Sequence, residues 1–183
     1  MGTNKKEIRL SGSGGQGLIT AGIILAKAAV LDDILVTQTQ SYGPESRGGA
    51  SRADVIISKK KFYFPEATKC DILLTLTQKA CDKYSQDLKG SGILIADTTF
   101  VKNITILNSK VYEVPFTKIA EEKLGSVLPT NIMSLGFIVK LTKVVTQKSL
   151  KQAVKNSVKS QYVDMNMKAI NIGFKLASNY NQE

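Results

Sequence analysis

The stretch Glu7-Ile-Arg-Leu-Ser-Gly-Ser-Gly-Gly-Gln-Gly17, with the apolar run 18–31 behind it, decides the fold. Ile8 and Leu10 alternate with polar residues, as in a strand. The glycines then break the pattern, and a long apolar run follows, so the segment reads as strand, tight turn and helix. Gly12, Gly14 and Gly17 stand at G-x-G-x-x-G spacing, with Gly15 as an extra glycine. Such a turn takes positive φ and lets a ligand approach the backbone. The helix behind it aims free N–H groups and its positive dipole end at the turn's mouth, which suits an anion. The expected occupant is a phosphate-bearing ligand. The structural alternative is a turn that only packs strand against helix.

Working outward, 18–31 reads as a buried helix. Ile19, Ile23, Ala26 and Val30 form its recurring stripe, and the other face is also largely apolar. Asp32 and Asp33 end it. Residues 34–40 read as a second strand, which gives a βαβ opening with an expected parallel pair. The loop Ser41-Tyr-Gly-Pro-Glu-Ser-Arg-Gly-Gly49 follows, and 50–58 returns as a strand. That connection is too short for a crossover helix, so an antiparallel or splayed pair is expected and the sheet becomes mixed. If the first two strands are parallel, both glycine loops leave the same edge of the sheet, where open α/β sheets bind ligands. Arg47 and Arg52 would supply charge-assisted donors to phosphate or carboxylate there. A local Arg47–Glu45 ion pair is the structural alternative.

Farther on, 71–77 reads as a buried strand and 78–89 as an amphipathic helix, with Ala80, Tyr84 and Leu88 on one stripe. Gly90 and Gly92 then lead into a strand at 93–96, a second βαβ unit. A further strand at 110–114 ends at Pro115, and a short helix at 116–124 is closed by Gly125. From Asn131 the pattern is helical only. Ile132, Leu135, Gly136 and Val139 face inward on one helix, Leu150, Val154 and Val158 on the next, and Val163, Met167, Ile170, Phe174 and Ala177 on the last. The expected fold class is α/β: a three-layer α/β/α sandwich with a Rossmann-like mixed sheet and C-terminal helices, as a single domain over 1–183.

Composition excludes more than it identifies. No apolar run is long enough to span a bilayer, and Lys27 interrupts the longest, so neither membrane span nor signal peptide is expected and the protein is read as cytoplasmic. Cys70 and Cys81 are too few for a metal or iron–sulfur framework. The chain has no histidine, which removes His-based acid–base work and most zinc sites. Net charge is +10, but no nucleic-acid-binding motif or aromatic–basic interleaving accompanies it. An NAD site wants an acid at the end of the second strand, where Gln38-Thr-Gln-Ser41 has none. A P-loop fails because no Gly-Lys-Ser/Thr follows the glycines.

The two glycine blocks together resemble the gamma subunit of 2-oxoacid:ferredoxin oxidoreductases, most of all those for 2-oxoglutarate. The likeness lies in RLSGSGGQGL at 9–18, SYGPESRGGASRADVIIS at 41–58, FPEATKCDILLTLTQKA at 64–80, VYEVPFTKIAEEKLG at 111–125 and NIMSLGFIVKLT at 131–142. The resemblance implies an enzyme that decarboxylates a 2-oxoacid to an acyl-CoA and passes electrons to ferredoxin. Thiamine diphosphate, Mg²⁺ and Fe–S clusters would sit in alpha, beta and in some cases ferredoxin-like delta partner subunits. This chain carries neither a Gly-Asp-Gly thiamine motif nor cluster cysteines. It would complete and cover the site, with no activity alone. The resemblance implies contacts to the CoA diphosphate from Gly14, Gly15, Gln16 and Gly17, with Arg47, Gly48, Gly49, Ser51 and Arg52 as the facing wall. It implies no residue for the chemistry itself. The lysine-rich C-terminal helices would dock partner subunits or attract acidic ferredoxin. The alternatives are a free-standing nucleotide- or CoA-binding module, a gamma-type subunit for pyruvate, branched-chain or indolepyruvate substrates, and, last, a basic nucleic-acid-binding protein.

Overall fold

The computed structural model describes residues 5–40, 49–62, 67–106 and 109–180. In chain order the elements are β1 (Lys5–Ser13), α1 (Leu18–Leu31), β2 (Leu35–Gln40), β3 (Ala50–Ser58), β4 (Cys70–Thr75) and α2 (Gln78–Tyr84). Then come β5 (Leu88–Asp97), β6 (Lys110–Val114), α3 (Phe116–Leu124), α4 (Thr130–Thr142), α5 (Gln147–Lys155) and α6 (Val163–Tyr180). One mixed sheet runs β2-β3-β1-β4-β5-β6. The α/β class and the mixed sheet follow the sequence reading. Among the described residues no helix is long and apolar enough to cross a membrane.

The expected adjacent parallel pair of β1 and β2 is not formed. β3 lies between them, antiparallel to both, with Ser58 opposite Lys5 on one side and Leu35 on the other. Side-chain chemistry explains the order. β3 is buried along most of its length through Ala53, Val55, Ile56 and Ile57, which suits a central strand. β2 offers Thr37-Gln-Thr-Gln40, half-exposed and polar, which suits an edge. β1 and β2 still run the same way, so their carboxyl ends share one edge.

Within the stripe read on α1, Ile23 is 40% and Val30 62% exposed, while Ala26 packs against the core. The buried face is Leu18, Ala21, Gly22, Ile24, Leu25, Ala28 and Ala29. Its small residues bring the helix backbone close to the sheet, and a helix apolar on all sides gives periodicity nothing to choose by. The helix expected over 78–89 stops at Tyr84, and Ser85–Asp87 make a 3-10 turn. β5 therefore starts at Leu88, which pairs with Cys70. Tertiary partners fix this break. The Tyr84 hydroxyl donates to Ala50 O at 2.9 Å, and Asp87 accepts from Arg9. Val158 lies beyond the end of α5, whose inward face is Leu150, Ala153 and Val154.

Two hydrophobic clusters flank the sheet. The larger joins α1, α3, α4, α5 and α6 to one face through residues such as Ile24, Leu135, Phe137, Leu150 and Ile170. The smaller packs α2 on the other through Leu73, Cys81, Tyr84 and Leu94. Between β1 and β3, Arg9 is fully buried. Its guanidinium binds Asp54 through two hydrogen bonds of 2.7 and 3.0 Å, donates to Ala67 O at 2.8 Å, and lies 5.4 Å from the Tyr84 ring. A buried charge is tolerable only when paired and hydrogen-bonded in this way.

Candidate functional site

The glycine turn sits at the carboxyl end of β1. Gly15 has φ +88° and Gly17 φ +69°, both in the left-handed region. Gln16 folds back over the turn: its Oε1 accepts from Ser13 N at 2.7 Å. Asn131, at the start of α4, reaches across and donates Nδ2 to Gly17 O at 2.9 Å, while its Oδ1 accepts from Ile132 N at 2.8 Å. The turn is thus clamped by a helix more than a hundred residues away in sequence. Gly17 caps α1 without any side-chain hydrogen bond, and Ala21 N is the donor to Gly17 O. The amides of Leu18, Ile19 and Thr20 precede the helical ladder and carry the positive end of the helix dipole.

These amides open on a cleft of about 400 Å³ lined by Ser13, Gly14, Gly15, Gly17, Leu18, Ile19, Thr20 and Ser51. Gly14, Gly15, Gly17 and Ser51 therefore meet in one place. Gln16 lines a neighbouring cavity of about 200 Å³ with Gly15, Leu76, Phe100, Thr117, Val127, Leu128 and Thr130. Arg52 does not join them. Successive strand residues point to opposite faces of a sheet, and Arg52 turns to the α2 side. Its Nε is 3.5 Å from Asp54 and its guanidinium 5.7 Å from the Tyr84 ring. Gly49 is half-buried at the entry to β3. Arg47 and Gly48 lie outside the described residues, as does Glu45 with its expected ion pair.

Asn131, Thr20, Phe100, Val127 and Leu128 were not singled out by the sequence. Each is ordinary in its local context, and only folding brings them to the turn. Around it the surface is apolar: Phe100 is 49%, Val127 47% and Leu128 72% exposed. The donor set fits neither an iron–sulfur cluster nor the Mg²⁺ of thiamine diphosphate. Among the described residues no three His, Cys, Asp or Glu side chains gather to hold a metal ion. Burial pushes the Cys70 thiol up to about 12, against the opposing pull of Arg9, so it is no nucleophile near neutral pH.

Residues 7–176 match the pyruvate ferredoxin/flavodoxin oxidoreductase family. The chain is 43% identical over 176 residues to the Methanocaldococcus jannaschii 2-oxoglutarate synthase subunit KorC, covering 94% of each chain. It superposes with TM-score 0.87 on the gamma subunit of a keto/oxoacid ferredoxin oxidoreductase from Geobacter sulfurreducens, at 43% identity, over 95% of this chain and 99% of that one. A 2-oxoglutarate:ferredoxin oxidoreductase from Magnetococcus marinus shares the fold, with TM-score 0.87 at 20% identity, over 97% of this chain but 32% of that one. The chain therefore belongs to the pyruvate ferredoxin/flavodoxin oxidoreductase family, among the gamma subunits of 2-oxoacid:ferredoxin oxidoreductases.

Proposed function

We propose that the chain serves a complex that oxidatively decarboxylates 2-oxoglutarate to succinyl-CoA with reduction of ferredoxin, and that its glycine-turn cleft takes the diphosphate of CoA. The carrying observation is the uncapped α1 N-terminus opening, beside Ser51, on a cleft of about 400 Å³. Backbone amides and a helix dipole bind a diphosphate without any positively charged side chain. The Magnetococcus marinus enzyme, of which the matching region is a third, is described with 2-oxoglutarate, coenzyme A and succinyl-CoA bound. The exposed Phe100, Val127 and Leu128 beside the turn suit burial under a partner subunit. Thiamine diphosphate and the clusters are assigned to partner subunits, and the isolated chain is expected to release no CO₂ from 2-oxoglutarate.

The test is Thr20→Glu in the assembled enzyme. Thr20 is exposed in the first turn of α1 and lines the cleft. A carboxylate there favours the helix, because it meets the positive dipole end, but it repels a diphosphate. At about 4 Å in a surface environment the repulsion is about 1–4 kcal/mol. The apparent KM for CoA rises about fivefold or more, the KM for the oxoacid holds, and the subunit stays folded. An unchanged KM for CoA would refute the assignment.

A further inference from the structure

At the edge of the sheet opposite the glycine turn lies a second concavity. A cleft of about 650 Å³ is continuous, through Ile34, Lys59, Lys143 and Val144, with one of about 210 Å³. Its floor is aliphatic, including Ile34, Ile57, Val139 and Val144, and its rim carries Lys6, Lys59, Lys140 and Lys143. These lysines come from the start of β1, the end of β3 and the last turn of α4, so the sequence scatters them and the fold gathers them. None of the four has a carboxylate partner among the described residues. Four like charges around one cleft repel each other, and a negatively charged occupant relieves that repulsion.

The form of the cleft narrows the occupant. α4 brings its C-terminal, negative end there, with Lys143 as its cap. The α5 N-terminus at the same place is already taken by a carboxylate. Asp32 accepts from Thr146 N at 2.5 Å, and Thr146 Oγ1 accepts from Ser149 N at 3.1 Å. A compact phosphate would find no glycine nest, and the Asp32 carboxylate would repel it from the α5 N-terminus. The lining holds no aromatic for base stacking and no arginine for bidentate phosphate contacts. Flexible lysine charges above an aliphatic floor suit carboxylates spaced along a chain with apolar side chains between them.

We propose that this cleft, rimmed by Lys6, Lys59, Lys140 and Lys143, is a docking site for an acidic, aliphatic segment of a partner protein. It is separate from the glycine-turn cleft and does not depend on the CoA assignment.

The probe is a synthetic alternating glutamate–leucine peptide titrated into the full-length, isotope-labelled chain and followed by amide chemical shifts. Shifts are expected at Ile34, Lys59, Lys143 and Val144, with the Gly14–Gly17 amides unmoved. Lys59→Glu/Lys143→Glu lowers the affinity about tenfold or more, as reversal of charges at a complementary contact does. Raising salt from about 50 to about 200 mM weakens binding to the parent chain. Both lysines are exposed, and far-UV circular dichroism checks that the variant keeps its fold. Lys59→Gln/Lys143→Gln should fall between parent and reversal. Shifts elsewhere, or equal affinity in the reversal variant, would overturn the proposal. So would competition at matched concentration by pyrophosphate, pointing to a small-anion site, or by polyuridylate, pointing to RNA.

Discussion

Replacing Gly17 by alanine tests the clamp between the turn and α4. Gly17 stands at φ +69°, and a Cβ there would overlap Asn131 Nδ2. Two costs add. Holding an alanine in the left-handed region costs about 1–2 kcal/mol. Moving Asn131 aside gives up its 2.9 Å bond to Gly17 O, worth about 1 kcal/mol. The sum, about 2–3 kcal/mol, corresponds to a fall in Tm of roughly 4–12 °C for a chain of this size. Gly15→Ala is the internal control. Gly15 also has positive φ, at +88°, but nothing lies within 4 Å of a Cβ built there. It should cost only the conformational part, about 1–2 kcal/mol. Urea unfolding of both variants, in the parent and in an Asn131→Ala background, separates the two costs. With Asn131 removed, Gly17→Ala should fall to the Gly15→Ala level, a coupling of about 1 kcal/mol. Equal costs for the two glycines in both backgrounds would refute the clamp.

Two further predictions follow from packing and from titration. In Gly173→Ala the new Cβ would overlap Met133 O and lie 2.9 Å from Phe137 N, so α4 and α6 must separate. Alanine's gain of about 1 kcal/mol in helix propensity is outweighed by an overpacking cost of about 3 kcal/mol. The variant melts lower by calorimetry, and a rise in Tm would contradict the crossing. In Asp32→Asn the tie from the end of α1 to the start of α5 weakens. Partial burial raises the Asp32 pKa, but hydrogen bonds from Ser149 and Thr146 outweigh it, so the net shift is downward. A depressed carboxylate stabilises the fold above its unfolded pKa and loses that effect as pH falls through the folded value. The parent should exceed the variant by about 1–2 kcal/mol near neutral pH, and the gap should close on acidification below about pH 4. A gap that holds or widens on acidification would be the wrong sign.

How much was legible in the sequence depends on what each signal reports. Glycine spacing and apolar periodicity are local, and they located α1, α3, β3 and β6 with their bounds or nearly so. They also placed Gly14, Gly15 and Gly17 in a turn at the carboxyl end of β1, while Ser51, in β3, was reached only through the family resemblance. The end of α2 was missed because Arg9 and Ala50, distant in sequence, hold Asp87 and Tyr84 and stop the helix. Arg52 read as a ligand-facing charge, yet strand alternation turns it toward Asp54 and Tyr84.

The sequence by itself determined the α/β class, the family motifs and the glycine turn, because each depends on neighbours within one element. The tertiary structure alone decided that β3 divides β1 from β2. It alone decided which face of the uniformly apolar α1 is buried, that Asn131 clamps the turn, and that Lys6, Lys59, Lys140 and Lys143 surround one cleft. Strand order, helix orientation and charge clustering arise when residues far apart in the chain compete for the same space. That competition is settled by packing and burial across the sheet, which periodicity along the chain does not record.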